Sequence, residues 1–347
     1  MFLYLKPFLI AFVLSLVLTR ALIKFGDKYK LYDKIKKEKI HRKNIARFGG
    51  AAIIISFLTA VFLSGDLQFD NLKWGIVASS LLILFFGIFD DLKNLSWKKQ
   101  LLGQIAVVAI MIYAGLNVDY IANPFGGNEF RLDQLQYSVF GIQYSVLGSL
   151  FILFWIIGFM NVMNWLDGLD GLAGGVGFIG AITLFFLSIS HLVNQPPLGI
   201  ISIALTGAVL GFLFFNFHPA KIFMGTSGSM FLGFTLAVIA IFSGGKIAAA
   251  LLVMGFPILD AVWVTARRIK NKKSPFQGDK SHFHYRLLEL GWSQKKAVLF
   301  VYLICLMFGI SALVFQSVGK VLALVVLFIL MVMVVFEVEL RGKKNGE

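Results

Sequence analysis

The sequence predicts an all-α polytopic membrane protein with about 10–11 transmembrane helices in a single integral membrane domain, residues 1–347. Of its 347 residues, 58% are hydrophobic and only 14% are charged, whereas soluble domains carry about 25% charged residues. A helix needs roughly 20 apolar residues to cross about 30 Å of hydrocarbon. Eleven runs with few charges approach this length: 2–23, 49–64, 75–89, 101–116, 146–163, 172–190, 198–215, 230–243, 247–266, 297–315 and 321–338.

The positive charges are concentrated in two segments, which predicts the orientation of the chain. Residues 24–47 contain ten Lys/Arg and three acids, and residues 267–296 contain nine Lys/Arg and two acids. Loops rich in Lys and Arg face the cytoplasm, so the N-terminus is predicted outside and the C-terminus in the cytoplasm. The net charge of +14 is attributed to this topology and to contact with membrane lipids, and no nucleic-acid partner is predicted.

Three smaller features complete the predicted architecture. No small-residue cleavage site follows the run 2–23, so this run is predicted to be a retained first helix. The longest outer segment, 118–144, contains a Pro and a Gly-Gly turn and predicts a small hairpin on the outer face. Cys305 is the single cysteine, which excludes an intramolecular disulfide and a Cys-based zinc site.

Adjacent carboxylates, Asp90 and Asp91, end the third predicted span and are followed by Lys93. Acids at a membrane boundary are costly and are usually functional. The alternative is a solvated helix end whose acids pair with the lysines that follow.

The stretch NVMNWLDGLDGLAGG, residues 161–175, places Asn161, Asn164, Asp167 and Asp170 at intervals of three. Residues with this spacing lie near one face of a helix, and amide and carboxylate oxygens are ligands for hard cations such as Mg²⁺. The alternative is a Gly-rich turn whose Asn and Asp side chains only cap helix ends. Four such residues in register favour the ligand interpretation.

Two further segments carry groups suited to phosphates. In MGTSGS, residues 224–229, glycines and hydroxyl residues open a predicted helix, where free N–H groups can bind an anion. Ordinary N-caps are the alternative, and Phe223 before them is either core or an aromatic face for a base. The pair His282 and His284 lies with Arg286 in a basic inner loop, and the surrounding basic residues favour a phosphate site over zinc.

All these clusters are predicted at one cytoplasmic membrane boundary by a topology derived without them. Acids for a metal, bases for phosphate and glycine-rich turns together indicate a site that joins a phosphorylated water-soluble compound to a phosphate at the lipid surface. Phosphoryl transfer needs mainly positioning and charge neutralisation.

The motifs FDDLKN, NVMNWLDGLDGLAGG, F-M-G-x-S-G-S and D-K-x-H-x-H resemble, in order and spacing, those of the polyprenyl-phosphate N-acetylhexosamine-1-phosphate transferases. ARFGG, residues 46–50, is similar to an early element of that family and contains Arg47. The resemblance implies a bacterial plasma-membrane enzyme with its active site on the cytoplasmic face. It implies transfer of a sugar 1-phosphate from a UDP-sugar to undecaprenyl or another polyprenyl phosphate, release of UMP, and use of Mg²⁺, with Mn²⁺ as the alternative ion.

The resemblance also implies roles for individual residues. Asp90 and Asp91 form a catalytic acidic pair, in which Asp90 deprotonates or orients the lipid phosphate, and Asn164 is a metal ligand. The implied substrate-binding residues are Arg47, Lys93, Asn161, Asp167, Asp170, Phe223, His282, His284 and Arg286. Among them, Asp170 and Phe223 bind uracil, and Asp167 supports the nucleotide.

Thr226 departs from the family pattern Met-Gly-Asp-x-Gly-Ser, in which the Asp is a principal magnesium ligand. A threonine hydroxyl is neutral and a much poorer Mg²⁺ ligand. The sequence therefore predicts that this chain is inactive or severely impaired. Because the other motifs are intact, an introduced substitution is favoured over a natural loss of activity.

The alternatives differ in donor and in class. The block DKSHFHYRLLELGWS favours UDP-GlcNAc as donor, and UDP-MurNAc-pentapeptide is the alternative. A nucleotide-sugar transporter would place its polar groups near the midplane, often in repeats, and a CDP-alcohol phosphotransferase would need a longer run of acids. A non-catalytic homologue remains open because of Thr226, as does the oligomeric state, with a homodimer as one alternative.

Overall fold

The architecture is that of a computed structural model of the 347-residue chain, which describes residues 2–30, 32, 45–65, 70–123, 125–139, 142–191, 193–242, 251–273 and 281–344. The described part includes twelve α-helices: α1 Phe2–Tyr29, α2 Gly49–Leu63, α3 Asn71–Lys93, α4 Trp97–Tyr113, α5 Val146–Leu166, α6 Leu172–Ile189, α7 Pro196–Asn216, α8 Gly225–Phe242, α9 Gly255–Lys270, α10 Phe283–Glu289, α11 Gln294–Val314 and α12 Ser317–Lys344.

Eight of these helices are long and apolar enough to cross a membrane, namely α1, α3, α5, α6, α7, α8, α11 and α12. This confirms the predicted all-α polytopic membrane protein. Of the other predicted spans, 49–64 forms the 15-residue apolar helix α2, and 101–116 lies largely in the 17-residue helix α4. The span predicted at 247–266 is described only from residue 251, and α9 ends in a basic turn. The orientation of the termini stays a prediction.

The predicted hairpin between α4 and α5 is present as two short antiparallel pairs. Strand β1 (Tyr120–Ile121) pairs with β2 (Phe130–Arg131), and β3 (Gln136–Val139) pairs with β4 (Ile142–Ser145). The Ser145 hydroxyl accepts a hydrogen bond from the Gly148 N–H at 2.9 Å, so the second hairpin leads directly into the first turn of α5.

Helix α8 lies at the centre of the bundle, because 94% of its apolar window is buried, against 17% for α1 and for α12. It contacts α2, α3, α5, α6 and α7. Two glycines permit the close approach of its neighbours. A Cβ atom on Gly50 of α2 would lie 2.2 Å from the Gly228 nitrogen, and one on Gly87 of α3 would lie 2.3 Å from the Ser227 Cα. The first turn of α8 thereby packs closely against the start of α2 and the C-terminal half of α3.

Candidate active site

The acidic pair lies in the last turn of α3, and its first member is held on three sides. Asp90 is 4% exposed, and its Oδ1 accepts hydrogen bonds from the Leu95 N–H at 2.8 Å and from Gln100 Nε2 at 3.0 Å. Its Oδ2 accepts from the Thr226 hydroxyl at 2.6 Å. The Asp90 carboxylate is therefore fixed by the end of its own helix, by α4 and by α8.

Of the two carboxylate oxygens of the second acid, Asp91, one has polar partners and the other has none among the described residues. Its Oδ1 lies 3.1 Å from the Arg47 Nε and 2.9 Å from the Thr226 backbone nitrogen. Its Oδ2 is buried and has no hydrogen-bond partner among the described residues. A Cβ at Gly225, whose φ is +72°, would lie 2.4 Å from that oxygen. Glycine at position 225 is therefore required both by its backbone conformation and by the space that Asp91 occupies.

Thr226 thus joins both acids, through its hydroxyl to Asp90 and through its backbone N–H to Asp91. The first turn of α8 directs its free N–H groups and the positive end of its dipole toward the two carboxylates. Position 226 is therefore the meeting point of the two acids. A threonine there donates a hydrogen bond to Asp90 and adds no negative charge.

Of the residues spaced by three in the stretch 161–170, Asn164, in the last turn of α5, reaches this meeting point. Its Oδ1 accepts a hydrogen bond from the Ser229 hydroxyl at 2.9 Å, and the same hydroxyl is 3.0 Å from the Gly225 carbonyl oxygen. Asn164 is therefore placed against the first turn of α8. In the part of the chain that the structure describes, no group of three or more His, Cys, Asp or Glu side chains is placed to hold a metal ion.

The two aspartates of the α5–α6 turn have different surroundings. Burial, reinforced by the nearby charge of Asp91 and opposed by Arg47, raises the pKa of Asp167 to about 7. Asp170 Oδ2 instead lies 2.8 Å from His218 Nδ1 and accepts the Ala220 N–H at 3.1 Å. The carboxylate of Asp170 is therefore held by the α7–α8 loop, which also carries Phe223.

The raised pKa of Asp167 predicts that stability falls as pH rises. Folding raises this pKa from 3.8 to about 7, so its stabilising contribution is complete below pH 3.8 and is lost as pH rises through about 7. Between about pH 5 and about pH 8, the melting temperature of the parent should fall by more than that of Asp167→Asn. We expect the difference between the two decreases to be about 2 °C or more. Thermal melting in detergent at each pH measures this. Parallel curves for the two proteins would contradict the raised pKa.

The histidine segment contacts the α5–α6 turn from the other side. His284 is completely buried, and neither ring nitrogen has a hydrogen-bond partner among the described residues. Burial lowers the pKa of His284 to about 4, so the ring is neutral near neutral pH. A Cβ at Gly168 would lie 2.8 Å from His284 Nε2 and 2.4 Å from the Tyr285 hydroxyl. Glycine at 168 therefore lets α10 pack directly against the turn that carries Asp167.

The other predicted residues of this segment and of α3 have separate contacts. His282 Nδ1 lies 2.8 Å from Asp260 Oδ2, and the buried Arg286 donates from Nε to the Ser281 carbonyl at 2.8 Å. Lys93 is exposed, and its Nζ lies 4.4 Å from the centre of the Phe89 ring. Asp279 and Lys280, part of the motif used in the prediction, lie outside the described residues.

Two predicted ligands make packing or backbone contacts. Asn161 exchanges two hydrogen bonds of 3.1 Å with Gln104, a residue 1% exposed on α4. Phe223 is half-buried, and its backbone nitrogen donates to the Ala46 carbonyl at 2.7 Å while its carbonyl accepts from Gly49 at 3.0 Å. These contacts bring the Arg47 segment to the first turn of α8. The substrate-binding roles of Asn161 and Phe223 stay predictions.

Sequence reasoning missed four polar residues that hold the predicted ones: Gln100, Gln104, His218 and Asp260. Asp260 gave a usable signal, because an isolated acid within an apolar segment is rarely without function. His218 shares its loop with MGTSGS but belongs to no spaced pattern. The two glutamines are single residues in α4, and no local pattern points to them.

Membrane-crossing helices that end at a buried cluster of charged side chains define the class of this protein as an integral membrane protein with a polar site at the ends of its helices. The sequence pattern of the family described as glycosyl transferase family 4 matches residues 73–244. The chain belongs to this family, the membrane transferases that move a sugar 1-phosphate onto a polyprenyl phosphate. The predicted family is therefore confirmed.

Its curated relatives include both branches weighed from the sequence. A Bacillus subtilis protein named probable undecaprenyl-phosphate N-acetylglucosaminyl 1-phosphate transferase is 33% identical over 97% of this chain and 92% of its own length. The decaprenyl-phosphate N-acetylglucosaminephosphotransferase of Mycolicibacterium smegmatis is 32% identical over 82% of this chain and 76% of its own. The phospho-N-acetylmuramoyl-pentapeptide-transferase of Halalkalibacterium halodurans is 31% identical over 88% of this chain and 95% of its own length.

Proposed function

We propose that this protein has the site of a UDP-N-acetylglucosamine:polyprenyl-phosphate GlcNAc-1-phosphate transferase that acts in bacterial cell-envelope glycan synthesis. The observation that carries the proposal is the meeting of Asp90, Asp91 and position 226 at the ends of two membrane-crossing helices. The relative with GlcNAc in its name matches nearly the whole chain, which favours this donor over UDP-MurNAc-pentapeptide.

The reaction requires one bond exchange at phosphorus. An oxygen of the acceptor lipid phosphate attacks the β-phosphorus of the UDP-sugar, and the bond from that phosphorus to the bridging oxygen breaks. UMP leaves with the bridging oxygen and its electron pair, and the lipid phosphate gains the sugar 1-phosphate, which gives a diphosphate-linked sugar on the lipid. Asp90, fixed by Leu95, Gln100 and position 226, orients the acceptor phosphate and accepts its proton. Such proton transfer contributes about 10²- to 10⁴-fold to a rate.

The donor nucleotide is assigned to the α5–α6 turn and the α7–α8 loop. Asp170, held by His218 and the Ala220 N–H, presents its carboxylate to uracil, and Phe223 stacks on the base. Lys93, His282, His284 and Arg286 are assigned to the phosphates and the sugar. The buried ring nitrogens of His284, without partners among the described residues, are suited to hydrogen bonding with a phosphate or sugar oxygen.

The residues present retain part of a magnesium site. The buried Asp91 Oδ2 has no hydrogen-bond partner in the described chain, and with Asn164 it would hold Mg²⁺, which is commonly bound by one or two carboxylates together with substrate phosphates. When bound, the ion neutralises the charge on the transferred phosphoryl group. Thr226 supplies neither a carboxylate nor its charge, so we propose weak metal binding and impaired transfer by the chain with Thr226.

A groove between α5 and α9 is suited to the polyprenyl chain. Its volume is about 510 Å³, and its lining is nearly all apolar: Phe154, Trp155, Gly158, Phe159, Asn161, Val162, Trp165, Leu251, Ile258, Ala261, Val262, Thr265, Ala266 and Ile269. Along α5 the groove extends from Phe154 to Trp165, which adjoins Asn164. A lipid tail in this groove would therefore bring its phosphate toward the acidic pair.

Filling the groove is expected to weaken lipid binding selectively. A Cβ at Gly158 would have no atom within 4 Å, so the side chain of Gly158→Phe begins in open space and adds a ring to the groove. We expect polyprenyl phosphate affinity to fall about tenfold, equivalent to about 1.4 kcal/mol, with UDP-GlcNAc affinity unchanged. Titration with a fluorescent polyprenyl phosphate measures this. Leu150→Phe, at an exposed α5 position outside the groove, is the control, and equal loss in both variants would contradict a lipid groove.

The proposed location is the bacterial plasma membrane, with the site facing the cytoplasm. Lys93, Lys98 and Lys99 lie near the acidic pair in sequence, and α9 ends in Arg267, Arg268 and Lys270. A concentration of Lys and Arg marks the cytoplasmic side.

The proposed function is tested by UMP release. The parent and the Thr226→Asp variant are incubated with Mg²⁺, undecaprenyl phosphate and either UDP-GlcNAc or UDP-MurNAc-pentapeptide. We expect lipid-dependent UMP release from UDP-GlcNAc by the variant and little by the parent. UDP-sugar uptake into vesicles without UMP release would favour a transporter. Binding of both substrates without transfer by the variant would indicate a non-catalytic homologue.

A further inference from the structure

Asp260 joins two helices that the proposed mechanism does not otherwise connect. It lies on α9, is 4% exposed, and uses both carboxylate oxygens. Its Oδ2 lies 2.8 Å from His282 Nδ1, and its Oδ1 accepts the Phe283 N–H at 2.9 Å. Its neighbour Ala261 lines the apolar groove. The bond therefore fixes the start of α10 to the helix that forms one groove wall.

The chemistry of this contact determines where the histidine proton lies. A carboxylate can only accept hydrogen bonds, so the His282 Nδ1 in contact with it must carry a proton. In the neutral ring the lone pair is then on Nε2. Because the Phe283 N–H is bonded to the other oxygen, the carboxylate cannot rotate freely. The carboxylate therefore also holds the orientation of the His282 ring.

His282 is also aligned with groups closer to the acidic pair. Its ring is stacked on that of His284, with centroids 5.7 Å apart and an angle of 9° between the planes. The centroid of the Trp165 ring, at the end of α5, lies 6.3 Å from the centroid of the His282 ring. His284 in turn packs against Gly168, next to Asp167. An error in the orientation of His282 would therefore disturb a second ring beside the nucleotide turn.

We propose that Asp260 is a positioning residue that holds the proton of His282 on Nδ1 and so presents Nε2 to the phosphate or sugar oxygens of the substrate. The inference rests on the proposed function, in which His282 binds substrate. Asp260 acts through His282, because both of its carboxylate oxygens are occupied by α10 and the residue before it. A purely structural role, as a tie between α9 and α10, is the competing explanation.

The first experiment observes the proton directly and needs no catalysis. The chain has five histidines, so ¹⁵N-histidine labelling gives few NMR signals, and the His282 signal is identified by its loss in His282→Gln. We expect Nδ1 to be protonated in the parent chain and the proton to move to Nε2 in Asp260→Asn, whose amide can donate to Nδ1. A parent His282 with its sole proton on Nε2, or a tautomer unchanged in Asp260→Asn, would overturn the proposal.

The second experiment measures transfer in the Thr226→Asp background. We expect Asp260→Asn to lower kcat at least about tenfold while KM for UDP-GlcNAc stays within about twofold. In a His282→Ala background the same substitution should have no further effect, because Asp260 acts through His282. Asp133→Asn, on the exposed β2–β3 connection, is the control and should leave kcat unchanged.

The outcomes separate the two proposals. Independent, multiplicative losses from Asp260→Asn and His282→Ala would show that Asp260 does not act through His282 and would overturn the inference. If the Thr226→Asp protein shows no transfer at all, the proposed function fails, while the NMR experiment still decides whether Asp260 sets the tautomer.

Discussion

Replacing Thr226 with aspartate is expected to make the stability of the protein depend on a divalent cation. The Thr226 hydroxyl lies 2.6 Å from Asp90 Oδ2, so the new carboxylate would face two existing carboxylates with Arg47 as their nearby counter-charge. Two like charges about 4 Å apart repel by about 4 kcal/mol at the effective dielectric constant of a protein surface. Without a divalent cation, Thr226→Asp should therefore melt below the parent.

Mg²⁺ is expected to reverse this loss. A ligand at about 100 times its dissociation constant stabilises the folded state by about 2.7 kcal/mol. Melting temperatures with EDTA and with saturating Mg²⁺ measure the effect, and Thr226→Asn is the matched neutral control. We expect a large Mg²⁺-dependent rise for Thr226→Asp and little change for the parent or for Thr226→Asn. Identical responses in the three proteins would contradict a metal site at position 226.

Asp90→Asn is expected to abolish most of the transfer that Thr226→Asp provides. The amide oxygen of the asparagine can still accept from Leu95 and Gln100, so the substitution removes the charge and leaves the local fold in place. Loss of a catalytic acid–base group lowers rates by about 10²- to 10⁴-fold. We expect kcat to fall within that range, measured as UMP release in the Thr226→Asp background.

Donor binding should distinguish this loss from a general disruption of the site. UDP-GlcNAc affinity is expected to be nearly unchanged in Asp90→Asn, since the proposed uracil contacts lie at Asp170 and Phe223. Asp133→Asn, which removes a surface ion pair with Arg131, is the control for loss of one acid. Retention of full kcat by Asp90→Asn would rule out a catalytic role for Asp90.

Spaced polar motifs located the candidate site because each of them ends or begins a membrane-crossing helix. Asp90 and Asp91 end α3, Asn164 lies in the last turn of α5, and Thr226 opens α8. In an antiparallel bundle such ends can meet at one boundary, so the predicted topology placed these residues together without knowledge of distances. In the structure Thr226 contacts both carboxylates, while the roles of these residues stay predictions.

Contacts between distant single residues were beyond the sequence. His218 and Asp260 find their partners 48 and 22 positions away, and neither belongs to a repeated spacing. Asn161 lies three residues before Asn164, the predicted metal ligand, and was expected on the same helix face. In the structure it is hydrogen-bonded to Gln104 of α4. Helical spacing defines a face but not the neighbour against which that face packs. The limits of α9 were also missed, because its apolar face continues into a basic turn.

The fate of the donor β-phosphate tests the central claim most directly. Thr226→Asp is supplied with Mg²⁺, undecaprenyl phosphate and UDP-GlcNAc that is radiolabelled in the β-phosphate. Sugar 1-phosphate transfer predicts that the label moves into the lipid fraction as a diphosphate-linked sugar while unlabelled UMP is released in equal amount. Sugar appearing on the lipid while the labelled phosphate stays in water-soluble UDP would contradict the account, because the bond broken would then lie between sugar and phosphate.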